Sequence, residues 1–127
     1  METFTCTVPV RFSDLDAAGV VNNAVYATYL EEARVAFARE VVGIDGYDEF
    51  PFFVVSLDLE YHAPIRELAD VTVAVTVQHV GETSFTLAYE LTVDDHLVAE
   101  AETVQVAVDF ETGEKRPVPE EWRARLG

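Results

Sequence analysis

The run N-N-A-V-Y-A-T-Y-L-E-E-A-R-V-A-F-A-R-E-V-V-G, residues 22–43, decides the fold. Tyr26, Tyr29, Leu30, Ala33, Phe37 and Val41 recur at spacings of three and four, which places them on one face of a helix. Glu31, Glu32, Arg34, Arg39 and Glu40 occupy much of the remaining surface. Asn22 or Asn23 stands where an N-cap side chain accepts a freed backbone amide, and Gly43 stands where a left-handed residue ends a helix. The spacing predicts a helix over residues 24–42, close to about 30 Å long at 1.5 Å per residue. No other stretch of the 127 residues predicts a long helix.

Working outward, the rest of the chain reads as strands. Phe4, Cys6, Val8, Val10 and Phe12 alternate with Thr3, Thr5, Thr7, Pro9 and Arg11, the period of a half-buried strand. Pro9 cannot donate to a ladder, which puts that strand near a sheet edge. A loop holding Gly46 and Pro51 follows the helix. Residues 52–62 then alternate, with Phe53, Val55, Leu57, Leu59 and Tyr61 expected on one face. Residues 70–80 and 84–93 place Val71, Val73, Val75 and Val77, then Phe85, Leu87, Tyr89, Leu91 and Val93, on single faces across the turn Gly81-Glu82-Thr83, a hairpin pattern. After Asp94-Asp95, residues 96–110 change parity: Leu97, Ala99 and Ala101 share one face and Val104, Val106 and Val108 the other. That slip predicts a bulge near Glu102–Thr103. The tail from Pro117 predicts a short final helix, with acids near its start and Arg123 and Arg125 near its end. One helix cannot supply the crossovers of a parallel sheet, so the sheet should be mainly antiparallel. The expectation is a two-layer α+β domain spanning residues 1–127, with no linker or repeat.

Charge narrows the function classes. Twenty-four acids against eight bases give a net charge of −16, and Lys115 is the sole lysine. Nucleic-acid binding needs a basic footprint, and none is present. Anionic membrane surfaces would repel the chain, and uncharged stretches such as Val71 to Gly81 are too short to span a bilayer. The first residues lack a basic n-region and an apolar h-region. Cys6 stands alone, which excludes an internal disulfide and a cysteine metal site. The three histidines show no metal-ligand spacing. Neither a P-loop nor a dinucleotide fingerprint is present, so neither metal nor cofactor is expected. Self-repulsion at −16 is strong in dilute buffer and largely screened at molar salt, where the Debye length is about 3 Å. The composition resembles that of proteins from a salt-saturated cytoplasm, and the expectation is a soluble, cytoplasmic, halophilic protein.

The densest polar segment runs from Arg11 through Ser13, Asp14, Asp16, Gly19, Asn22 and Asn23 to Tyr26. It joins a strand end to the start of the long helix, where backbone N–H groups have no intrahelical partner. Such groups hold a developing oxyanion, and a carboxylate beside them is a minimal kit for attack on an acyl carbon. The plainer reading makes the aspartates turn residues and an asparagine the helix cap. A serine-hydrolase elbow, G-x-S-x-G, is absent.

The stretch R-F-S-D-L-D-A-A-G-V-V-N-N-A-V-Y-A-T-Y-L-E-E-A-R, residues 11–34, resembles the signature of hotdog-fold acyl-CoA thioesterases of the 4-hydroxybenzoyl-CoA thioesterase type. Weaker matches are Tyr61-His-Ala-Pro, Gly81-Glu-Thr-Ser-Phe and Asp109-Phe-Glu-Thr-Gly. Val20 departs from the histidine often found after the glycine, which bears on the subfamily. The resemblance implies a five-stranded antiparallel sheet wrapped around one long helix, and two copies paired edge to edge with shared active sites, as a homodimer or homotetramer. It implies Asp16 as the catalytic carboxylate, the amide near Asn23 as the oxyanion donor, and Asp14 as a turn residue. Gly19, Val21, Tyr26, Tyr29, Thr83 and Ser84 are the residues expected against a coenzyme A thioester, with Arg66 a weaker phosphate contact. Glu31 or Glu32 is the lesser catalytic alternative. The competing functions are a non-catalytic acyl-CoA binding module and a thioesterase acting on acyl carrier protein. A hydratase would need a histidine five residues after Asp16, where Val21 stands.

Overall fold

The computed structural model describes residues 3–44, 52–66, 68–109 and 111–127. β1 (Phe4–Pro9) leads through a loop into α1 (Val25–Phe37), which continues as a π-helical turn over Ala38–Val42. Then come β2 (Phe52–Tyr61), β3 (Asp70–Val80), β4 (Ser84–Val93), β5 (His96–Ala107) and α2 (Glu120–Leu126). The strands form one sheet in the order β1-β3-β4-β5-β2, and every neighbouring pair is antiparallel. The loop expected at Gly46 and Pro51 and the strand end expected at Phe110 lie outside the described residues.

The long helix follows its sequence pattern. Tyr26, Tyr29, Leu30, Ala33 and Phe37 are buried, and α1 lies on β1 and β3 above Val71, Val73 and Val75. Each such buried side chain contributes about 1.5–3 kcal/mol when it is large and apolar. Gly43, at φ +85°, ends the helical segment, a conformation that glycine adopts without a Cβ clash. β1 is an edge strand, as Pro9 suggests. It stops earlier than the alternation alone predicts because the Arg11 amide turns inward to the Asp14 carboxylate. Among the described residues no helix is long and apolar enough to cross a membrane.

Two expectations on the β2–β5 side are corrected. The β4–β5 register runs unbroken from Ala99 to Val106, so no bulge falls at Glu102–Thr103; the slip lies between Leu91 and Thr92, with Val98 as the extra residue. Thr103 and Gln105 therefore take core-facing positions opposite Leu87 and Phe85. Burial is tolerable there because the bonds are met. The Tyr89 hydroxyl donates to Thr103 Oγ1 at 2.7 Å, the Thr103 hydroxyl donates to Gln105 Oε1, and Gln105 Nε2 donates to the Phe85 carbonyl at 3.0 Å. In β2 a shift between Val54 and Ser56 leaves Val55 without an opposite residue. Phe52 and Val54 thus share the helix side with Leu57, Leu59 and Tyr61, and Phe53 turns to the other face. Phe52 packs edge-on against Phe85 and Trp122, with centroids 5.3 and 6.2 Å away.

α2 is held by its arginines. Arg123 Nη2 donates to the carbonyls of Gly81 and Glu82 at 2.6 and 3.0 Å, and Arg125 Nη1 donates to the Val42 carbonyl at 2.9 Å. The sheet face away from α1 is acidic. Glu60, Glu100 and Glu90 form one row across β2, β5 and β4, and Asp58 stands opposite Glu102 in the next. These five carboxylates line a concavity of about 670 Å³. Like charges placed directly opposite one another in a sheet are destabilising.

Candidate active site

The loop between β1 and α1 is built around its two aspartates, and it separates them. Asp14 is buried, and its Oδ2 accepts from the Arg11 amide and from the Tyr29 hydroxyl, both at 2.8 Å. Burial first, and then the bond to Asp14, push the Tyr29 phenol well above its ordinary value. Asp16 is exposed. Its Oδ1 accepts from the amides of Ala18 and Val20 at 2.9 and 3.4 Å, and among the described residues its Oδ2 has no protein partner. The same turn is closed by Asp16 N–H to Val20 O at 2.8 Å and Gly19 N–H to Asp16 O at 3.0 Å. Gly19 permits it at φ +78°.

The start of α1 is equally defined. The Asn22 amide donates to Asp14 O, the Val25 amide donates to Asn22 O, and the Ala24 amide donates to Asn22 Oδ1, each at 2.9 Å. Of the two asparagines it is therefore Asn22 whose side chain accepts the helix-start amide. The Asn23 amide has no acceptor among the described residues. A free carboxylate oxygen and an unpaired amide thus lie on one short segment entering the helix. A carboxylate and a free backbone amide are the group types that serve as base or nucleophile and as oxyanion donor.

The other expected residues divide in two. Val21, Tyr26 and Tyr29 are buried close to this loop, with the Val21 amide on Ile65 O at 2.8 Å. Tyr26 and Tyr29 are packed as core, their rings 6.2 Å apart. Thr83 and Ser84 are half-buried in the β3–β4 turn, which the Thr83 and Ser84 carbonyls stabilise by accepting from Ala107 and Gly81. β1 ends where β3 begins, so this turn lies at the far end of the 11-residue β3, about 35 Å away. One copy of the chain does not bring Asp16 and Thr83 together. Arg66 is exposed. Glu32 is engaged by Arg11 at 3.1 Å, and Glu31 is exposed.

Sequence spacing misses two groups. The Tyr61 hydroxyl donates to the Asn23 carbonyl at 2.7 Å; the strand pattern marks Tyr61 only as an apolar-face residue. His62 Nε2 lies 2.8 Å from Glu100 Oε2, and Glu60 offers a third ligand-type atom within 4.8 Å. Linear spacing hides this exposed group because its members come from β5 and from the end of β2.

An antiparallel five-stranded sheet carrying one long helix, entered through a carboxylate-bearing loop, defines the hotdog class. The pattern of the thioesterase-like superfamily is matched over residues 10–126, and the chain belongs to that family. A 1,4-dihydroxy-2-naphthoyl-CoA hydrolase of Nostoc punctiforme is 30% identical over 126 residues, covering 94% of this chain and 83% of the relative. A thioesterase of Thermus thermophilus, solved with coenzyme A and Zn, superposes with a TM-score of 0.88 at 32% identity, covering 96% of this chain and 90% of that one. The fold is also that of a predicted thioesterase from Bacillus stearothermophilus, with a TM-score of 0.91 at 24% identity over 98% and 94% of the two chains. The chain is a thioester hydrolase.

Proposed function

We propose that the chain is one domain that hydrolyses an acyl-CoA thioester to the free acid and coenzyme A, with Asp16 as nucleophile or general base. The observation that carries this reading is that, among the described residues, Asp16 Oδ2 and the Asn23 amide both lack a partner and lie on the same short segment. As base, Asp16 takes a proton from water while the water oxygen bonds to the acyl carbon. The carbonyl oxygen becomes an oxyanion that the Asn23 amide stabilises, and its collapse breaks the C–S bond. The thiolate leaves readily, since a thiol pKa is about 8.5, and it then takes up the proton. As nucleophile, Asp16 forms a mixed anhydride that water cleaves. A carboxylate and an oxyanion hole suffice because the leaving group needs no strong acid.

Coenzyme A as carrier is supported by the Nostoc relative's hydrolase name and by the Thermus thioesterase solved with coenzyme A. The test is thiol release from a panel of acyl-CoAs, aliphatic and aromatic, in molar KCl. Turnover of at least one member is expected; none would remove the reading.

Two copies complete the site. β2 is an edge strand with Phe53, Val55, Leu57 and Tyr61 exposed by 56, 61, 45 and 45%, and such an edge needs cover. Antiparallel pairing of β2 with β2 of a second copy reverses the sheet direction. It would carry that copy's Thr83–Ser84 turn to the end where Asp16 lies, against the nucleotide-bearing part of the substrate. A homodimer or homotetramer is expected by sedimentation in molar KCl. A monomer under those conditions would eliminate the shared site.

A salt-rich cytoplasm is the proposed setting. With −16 net charge and two rows of facing carboxylates on the open face, the melting temperature is expected to rise by about 10 °C or more from dilute buffer to molar KCl, equivalent to a few kcal/mol in a domain of this length. A flat curve would make the acid excess ordinary surface.

A further inference from the structure

Tyr61 is the last residue of β2, on the side of the sheet that faces α1. Its ring meets Tyr26 of α1 edge-on, with centroids 4.9 Å apart at 86°. Tyr26 is itself buried, so the Tyr61 ring rests against a fixed wall. From that seat the hydroxyl donates to the Asn23 carbonyl at 2.7 Å, across 38 residues of chain.

The segment that Tyr61 touches is already secured without it. Asn22 is held through its amide, its carbonyl and its side chain. Asn23 itself offers an amide with no acceptor among the described residues, between two peptide planes that are both engaged. The peptide plane before Asn23 is fixed by the Val25 amide on the Asn22 carbonyl, and the plane after it by the Tyr61 hydroxyl on the Asn23 carbonyl. The Asn23 N–H lies in the first plane, and the Tyr61 bond anchors the second, which also carries the Ala24 amide on Asn22 Oδ1, so residue 23 is restrained on both sides of its Cα. Donation to the Asn22 carbonyl also polarises the amide whose N–H belongs to Asn23, which makes that N–H a better donor. Oxyanion stabilisation depends on donors that are oriented before the charge appears.

We infer that Tyr61 is a positioning residue: its hydroxyl bond to the Asn23 carbonyl holds the Asn23 amide aimed at the developing oxyanion. This rests on the role proposed above for Asn23. It gives the Tyr61-His-Ala-Pro segment a task in turnover and ties the edge strand to the chemistry.

The test is Tyr61→Phe, which keeps the ring on Tyr26 and removes only the hydroxyl. Steady-state hydrolysis of a turned-over acyl-CoA is measured in molar KCl, with Asp16→Asn assayed alongside and melting temperatures recorded for all three proteins. The expected result is a kcat lowered about tenfold with KM within about twofold, because a donor misaligned by a fraction of an ångström loses its hold mainly on the transition state. The melting temperature should move little. Unchanged kcat in Tyr61→Phe, with Asp16→Asn inactive, would overturn the inference and leave the proposed chemistry standing. A raised KM at constant kcat would overturn it in favour of substrate binding. A kcat loss fully explained by a smaller folded fraction would reduce Tyr61 to a structural contact. Should the wild-type chain turn over no acyl-CoA, the inference falls together with the reading it rests on.

Discussion

Asp16→Asn is expected to lower kcat by about a hundredfold or more while KM changes little, since the missing interaction belongs to the transition state. Asparagine keeps the shape of the side chain, and its Oδ1 can still accept from the amides of Ala18 and Val20, the two bonds that hold the turn. What it removes is the negative charge and basicity of Oδ2, the atom with no protein partner among the described residues. The turn should therefore persist, and a melting curve close to that of the wild type belongs to the prediction. Thiol release under saturating acyl-CoA is the measurement. Retained activity would make the carboxylate structural and turn attention to Glu31, because Glu32 is already engaged by Arg11.

Asp14→Ala should act in the opposite way. Its carboxylate is the acceptor for two donors, the Arg11 amide and the Tyr29 hydroxyl. Leaving a buried donor unmet costs about 1–3 kcal/mol, so a loss of about 3 kcal/mol, or roughly 10 °C in melting temperature, is expected. Activity per folded molecule should remain near that of the wild type. Loss of turnover at full stability would mean that the two aspartates have exchanged roles. The Tyr29 bond also ties stability to alkaline pH. Because the folded-state phenol is raised, its contribution is fully present below the ordinary value near about 10 and is lost as the pH climbs through the raised value. Denaturation followed above pH 10 should show that loss in the wild type and a smaller one in Asp14→Ala.

The contrast between these aspartates also marks what the sequence could reveal. Residues 22–43, β1 and the β3–β4 hairpin are legible because their apolar period matches the one face they bury. The D-x-D pair marks a candidate site, yet spacing cannot say which carboxylate is buried: that depends on the Tyr29 hydroxyl, 15 residues away. Parity fails in β5 for a related reason. Alternation assumes that the core face is apolar, and there a chain of hydrogen bonds lets Thr103 and Gln105 occupy it. In β2 a single slipped residue, Val55, exchanges the faces of Phe52 and Phe53, and nothing in the local composition marks the slip. Tyr61 on Asn23 and His62 on Glu100 join segments distant in sequence, so only the folded chain displays them.

The seven arginines of this lysine-poor chain carry a further consequence. Three of them rest on neutral partners. Arg123 and Arg125 donate to backbone carbonyls, and Arg116 lies 5.6 Å from the centre of the Trp122 ring. Arg11, by contrast, forms an exposed ion pair with Glu32. Ion pairs at a surface fade as electrolyte accumulates, whereas a guanidinium gripping a carbonyl or an aromatic ring has no opposite charge to be masked and keeps its proton at any pH of interest. Concentrated brine therefore relieves the repulsion among the acids without loosening these joints. The joins between the last helix, the β3–β4 turn and the end of the long helix are of a kind that dissolved salt leaves in place.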